Sequence, residues 1–213
     1  MQMPLRIPIL LALALIAALP LHAKPRPYLY ETAIESEPVR IGELEFTTLT
    51  TSLWYQGLVS IHLLVANTGE KEVLFPTMDT TRIEVTDDRG QPVHETGGRD
   101  ATCFTAPVKI PAHGRYVISG NSRLRDPDSS ATKGWKTSAQ AGDWCLEYLD
   151  RTGGIALYAP LKEGKSYTVK FVIDATIDRG IKTAPPPFPE WRGKCETKPV
   201  TIRIFDRKNS NLK

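Results

Sequence analysis

The chain has 213 residues, 41% of them hydrophobic, and a formal net charge of +3 at neutral pH. That length and apolar share are ample for a real core. The near-balance of charge argues against nucleic acid as a partner, because neutralising a phosphate backbone needs a clustered excess of Lys and Arg.

Residues 1–23 read as a secretory signal peptide. Arg6 supplies the positive start, residues 7–19 are almost wholly apolar, and Leu21-His22-Ala23 fits a small-residue cleavage site. The apolar run falls short of the roughly 18–20 residues of a spanning helix. No second such run follows. The expectation is an exported chain, periplasmic or secreted, with no membrane span once the signal is removed. Cleavage takes Arg6 from the 27 basic residues and leaves 26 against 24 acidic ones. Residues 24–40, opened by Lys24-Pro25-Arg26-Pro27, form an extended leader.

Leu44 and Phe46, between Glu43, Glu45 and Thr47, open the first strand of a single domain over residues 41–206. Residues 57–93 are its organising block and read as four short strands and three turns. Val59, Ile61, Leu63 and Val65 recur at every second position, the period of a strand with one buried face. Asn67-Thr68-Gly69 breaks the run with residues that tolerate left-handed backbone. Val73 and Phe75 resume the alternation, Ile83 and Val85 repeat it, and Asp87-Asp88-Arg89-Gly90 is a turn before Val93. Residues 96–105 are Gly-rich and read as a loop ending near Cys103. Val108 and Ile110 mark a short strand, turned by Pro111-Ala112-His113-Gly114 into Tyr116-Val117-Ile118.

Residues 120–158 show neither strand nor helical period and read as a long insertion. Connections of that length usually have a function. Leu161-x-x-Gly164-x-x-Tyr167 then matches the tyrosine corner of sandwich folds. Tyr167, Val169, Phe171 and Ile173 fall on one face of a strand, with Thr168, Lys170 and Asp174 on the other. Residues 183–189 hold four prolines and cannot be a strand interior. Val200, Ile202 and Ile204 form the last strand, and residues 207–213 a tail. The predicted fold is all-β: an antiparallel sandwich of about seven to nine strands, with the insertion before the penultimate strand.

Candidate chemistry is sparse. His62, His94 and His113 lack the i, i+2 spacing of a metal pair on a strand, and satisfied or solvated side chains are the expectation. There is no G-x-S-x-G and no Gly-rich loop leading into a helix. Asp126-Pro127-Asp128-Ser129-Ser130 lacks the Gly and terminal Glu of a calcium loop. No catalytic residue, metal ligand or cofactor is therefore expected. The 3 cysteines, Cys103, Cys145 and Cys195, predict one disulfide and one leftover thiol in an oxidising compartment. Counting strand reversals puts Cys103 and Cys145 at the same end of the sandwich, so they are the expected pair. Trp135, Trp144, Tyr148 and Tyr158 crowd the insertion. They serve either as core plugs or as contacts. Trp135, beside Lys133, Lys136 and Arg151, is the expected partner anchor. Pro186 and Phe188, on the Pro-rich stretch, are the second choice.

Two segments resemble known families. Leu64-Val65-Ala66-Asn67-Thr68-Gly69 through Asp87-Asp88-Arg89-Gly90-Gln91-Pro92-Val93 resembles the Asn-x-Gly … Asp-x-x-Gly-x-x-Val stretch of the bacterial intracellular proteinase-inhibitor family. Trp191-Arg192-Gly193 through Thr197-Lys198-Pro199-Val200 resembles the Trp-x-Gly … Ser-x-Pro-Val ending of exported bacterial immunoglobulin-like domains. Thr197 stands where Ser is usual, and Cys195 where an apolar residue is usual. The resemblance implies an immunoglobulin-like sandwich. The functional expectation is a non-enzymatic binding or assembly module for an unknown protein or cell-envelope component. The alternatives are a protease inhibitor acting through an exposed loop and an enzyme whose site the insertion forms.

Overall fold

The computed structural model describes residues 32–53, 58–77, 80–99, 105–119, 121–125, 143–149, 154–176 and 190–204. All regular structure among them is strand. The first half holds Thr32–Glu35 (β1), Val39–Ile41 (β2), Leu44–Leu53 (β3), Leu58–Asn67 (β4), Val73–Phe75 (β5), Thr81–Thr86 (β6), Pro92–Val93 (β7) and Glu95–Arg99 (β8). The second holds Val108–Ile110 (β9), Arg115–Ser119 (β10), Asn121–Arg125 (β11), Asp143–Leu149 (β12), Ile155–Lys162 (β13), Ser166–Asp174 (β14), Lys194–Glu196 (β15) and Val200–Arg203 (β16).

Three antiparallel sheets result. The first runs β1-β3-β4-β10, with β2 also on β3; the second runs β11-β12-β13-β8. The third runs β15-β14-β6-β7, with β16 also on β14, and β5 and β9 form a separate ribbon. The chain passes from the first sheet to the second along β10 and β11. The ladder between β10 and β4 ends at the pair Ser119 and His62. The Ser122 hydroxyl then takes over the β4 edge, accepting the Ile61 N–H (2.9 Å) and donating to the Val59 carbonyl (2.5 Å).

The alternation read from the sequence is the alternation that packs. Val59, Ile61, Val65, Phe75, Ile83, Val85, Tyr167, Val169, Phe171, Val200 and Ile202 are all buried in one cluster fed by every sheet. Three contacts bind the third sheet to the other two. The hydroxyls of Thr48 and Thr197 meet at 2.5 Å, Tyr158 donates to the Ile83 carbonyl at 2.8 Å, and the ring of Phe171 meets that of Tyr148 edge-on at 6.2 Å. The expected corner is present as well: the Tyr167 hydroxyl accepts the Lys162 N–H at 2.8 Å, and Gly164 takes φ +70° in the turn between them.

Three stretches differ from the sequence reading. The later part of the leader is not merely extended, because β1 and β2 both pair with β3. Residues 95–99 are a strand, not part of a loop, and β8 pairs with β13. Gly97 and Gly98 hide it, since Gly is depleted in strands. Gly98 is needed there: a Cβ would lie 2.5 Å from the Ile155 carbonyl oxygen. The insertion is not patternless either, for its ends supply β11, β12 and the start of β13. These strands escape a period-2 search because β12 is buried on both faces and β13 changes phase. Between the pairs Trp144–Leu161 and Leu146–Tyr158, one residue of β12 faces two of β13, Ala159 and Pro160. Pro160 sits in this bulge, where its missing N–H removes nothing from the ladder.

Candidate functional site

The second sheet carries most of the insertion that the structure describes. On its inner face Leu146, Tyr148 and Tyr158 join the main core. Tyr148 and Tyr158 are thus plugs of the sandwich and not surface anchors. Burial pushes the Tyr158 hydroxyl well above its ordinary range. Trp144 is half-buried at the core margin, its indole N–H donating to Glu163 at 3.3 Å.

The outer face is buried too, and it is where charge is concentrated. Asp143, Cys145 and Glu147 stand in a row at i, i+2 and i+4, beside the apolar pair Leu157 and Ala159. Glu147 is held between Arg123, at 3.2 Å, and Arg125, which grips it through two guanidinium nitrogens. Asp143 is met by Lys162 at 2.5 Å. Buried carboxylates persist as ions only when paired in this way. Burial, reinforced by the Glu147 charge, pushes the Cys145 thiol up to about 12. A thiol so placed is a weak nucleophile, which suits a structural and not a catalytic role. Cys195, on β15, is likewise raised to about 12 by burial and then by Glu196.

The histidines do not converge. His113 pairs with Glu70 at 3.2 Å in the turn before β10, at φ 55°, and His94 is exposed between β7 and β8. His62 lies on the face of β4 opposite Ile61 and Leu63. Among the described residues no three His, Cys, Asp or Glu side chains group as a metal site, and no helix is long and apolar enough to cross a membrane. Trp135, Lys133, Lys136, Arg151, Pro186, Phe188 and Cys103 lie outside the described residues. So do Asp126-Pro127-Asp128-Ser129-Ser130, the signal segment and the tail.

A feature not expected from the sequence is a groove of about 490 Å³ where the β2–β3 turn faces residues 190–192. Ile41, Leu44, Val73 and Trp191 supply its apolar lining, with Glu43, Glu190 and Arg192 beside them. The indole is fixed by neighbours, with ring centroids 5.1 Å from Phe46 and 5.6 Å from Phe75. Gly193 leaves room for it, because a Cβ there would come within 2.6 Å of the indole. The Trp191 N–H donates to the Leu74 carbonyl at 2.8 Å, and Ala175 N–H to the Gly193 carbonyl at 2.9 Å. Both flanks of the Pro-rich stretch are therefore tied to the framework. No local pattern announces the groove, since its residues come from three segments more than a hundred positions apart at the extremes.

No family model, curated protein or solved structure matches this chain.

Proposed function

We propose that this protein is an exported, non-enzymatic binding or assembly module on an immunoglobulin-like sandwich. The observation that carries the reading is the groove: an open concavity lined in part by Trp191, whose ring packs on Phe46 and Phe75, and of the size small recognition sites use. Elsewhere the buried ionisable groups support structure. Asp143 and Glu147 are neutralised by Lys162, Arg123 and Arg125. The bond between Lys162 N–H and the Tyr167 hydroxyl supports the immunoglobulin-like assignment. The partner is a protein or another cell-envelope component.

A second reading, protease inhibition, draws support from the clamped flanks of the Pro-rich stretch. A pre-ordered segment on a fixed base is what a loop inhibitor presents to a cleft.

The test immobilises the mature protein and passes periplasmic and envelope fractions over it. A saturable partner is expected. Trp135→Ala is expected to leave the melting temperature unchanged and to weaken that partner by more than about 1 kcal/mol. Retention of nothing, together with turnover of a substrate, overturns the module reading. Undiminished binding by Trp135→Ala removes the insertion as the contact.

A further inference from the structure

We infer that this protein associates with further copies of itself, head to tail, with β10 of one copy pairing with β1 of the next. This goes beyond the binding-module reading and does not depend on the groove. The first sheet ends on β1 at one side and on β10 at the other. An edge strand presents unpaired backbone N–H and C=O groups, a template for another strand. Every neighbouring pair from β1 through β3 and β4 to β10 is antiparallel, so β1 and β10 run in opposite directions. A copy carried along the sheet therefore sets its β1 antiparallel against β10, with the core-side faces in line.

Register and charge favour this pairing. Setting Arg115 against Glu35 of the next copy continues as Tyr116 with Ile34, Val117 with Ala33 and Ile118 with Thr32. The faces match. Ile34 is opposite Thr50, which is opposite the buried Ile61, so Ile34 lies on the core side. Tyr116 and Ile118 pack toward the same side. Arg115 and Glu35 both fall on the outer face. Ile34 and Val117, at 41% and 43%, are the most exposed large hydrophobic residues among those described. Tyr116 against Ile34 makes an aromatic and β-branched pair, which is favourable across strands. Arg115 is the one charge on β10 and Glu35 the one charge on β1. Both are exposed, and among the described residues neither has an ion-pair partner. The charges nearby do not oppose the match. Glu37 adds to the negative side of the β1 edge, Arg40 turns to the Gly42 carbonyl at 3.2 Å, and Glu70 is engaged by His113 at 3.2 Å. A symmetric contact, β10 on β10 or β1 on β1, gains no charge pair.

The experiment is sedimentation of the mature protein from about 10 μM to about 1 mM, since so short a ladder makes a small, weak interface. The average mass should rise past that of a dimer, because a head-to-tail contact that does not close goes on adding copies. Glu35→Arg and Arg115→Glu should each weaken the association about tenfold with an unchanged melting temperature, and the double variant should recover it. A monomer throughout, or a mass that stops at two copies, overturns the inference. So does an association that Arg115→Glu weakens and Glu35→Arg does not, which is the mark of a symmetric β10 contact. If the two charges instead guard the edges, Glu35→Gln combined with Arg115→Gln raises the association, and that result also overturns it. None of these outcomes bears on capture of a partner at the groove, so the two proposals fail separately.

Discussion

The Thr48–Thr197 contact makes a quantitative prediction. Both residues are buried, and the Thr197 hydroxyl also accepts the Phe171 N–H at 2.9 Å. Valine reproduces the shape of threonine, so replacement removes hydrogen bonds without opening a cavity. Thr197→Val strands two buried groups, the Phe171 N–H and the Thr48 hydroxyl. Each costs about 1–3 kcal/mol, so the variant should lose about 2–6 kcal/mol. Thr48→Val leaves Thr197 still bonded to Phe171 and strands only the second bond of its hydroxyl, at about 1–2 kcal/mol. In the double variant only the Phe171 N–H lacks a partner. Its cost should be about 1–3 kcal/mol, below the sum of the singles by roughly 2–5 kcal/mol. Urea denaturation of the four proteins, with m-values compared, closes the cycle. Additivity within about 0.5 kcal/mol would show that the two hydroxyls share no bond and would refute this account of how the sheets are joined.

Three other outcomes are expected. Peptide mapping of the unreduced mature protein should join Cys103 to Cys145, a cross-link worth on the order of 4 kcal/mol in the chain-entropy model; a bridge that includes Cys195 refutes the pairing. The Asp174 carboxyl is held down at about 2, chiefly by Lys194 at 2.7 Å and then by Thr176. A lowered carboxylate stabilises the fold above its ordinary value of 3.8, and that contribution is lost as pH falls through about 2. NMR titration of Lys194→Met should return Asp174 toward 3.8; an unmoved midpoint contradicts the assignment. Finally, Gly98→Ala should disrupt β8 against the Ile155 carbonyl, and unchanged hydrogen-exchange protection of residues 95–99 would count against that contact.

What could be read in advance was whatever repeats every second residue on a sheet with one wet face. Ile61, Val85, Phe171 and Ile202 announce their burial because polar residues separate them. The same rule is silent on β12, where Cys145 and Leu146 are both buried on opposite faces. It misleads at β8, where two glycines are demanded by a close backbone approach and not by a loop. Trp144 and Tyr158 were legible as aromatics, yet only the fold tells a plug from an anchor. The groove needed Glu43, Val73 and Trp191 side by side, and no local spacing encodes a meeting of residues so far apart.

Thr48 and Thr197 are separated by 149 residues, and the Tyr158–Ile83 bond by 75. Native contacts at such separations slow folding, since chain closure must be paid before they form. The hydroxyl bond between the first and third sheets cannot form until residue 197 has left the ribosome. Until then a nascent chain of this design lacks the Thr48–Thr197 bond that ties those two sheets, and β3 waits on a partner far along the chain.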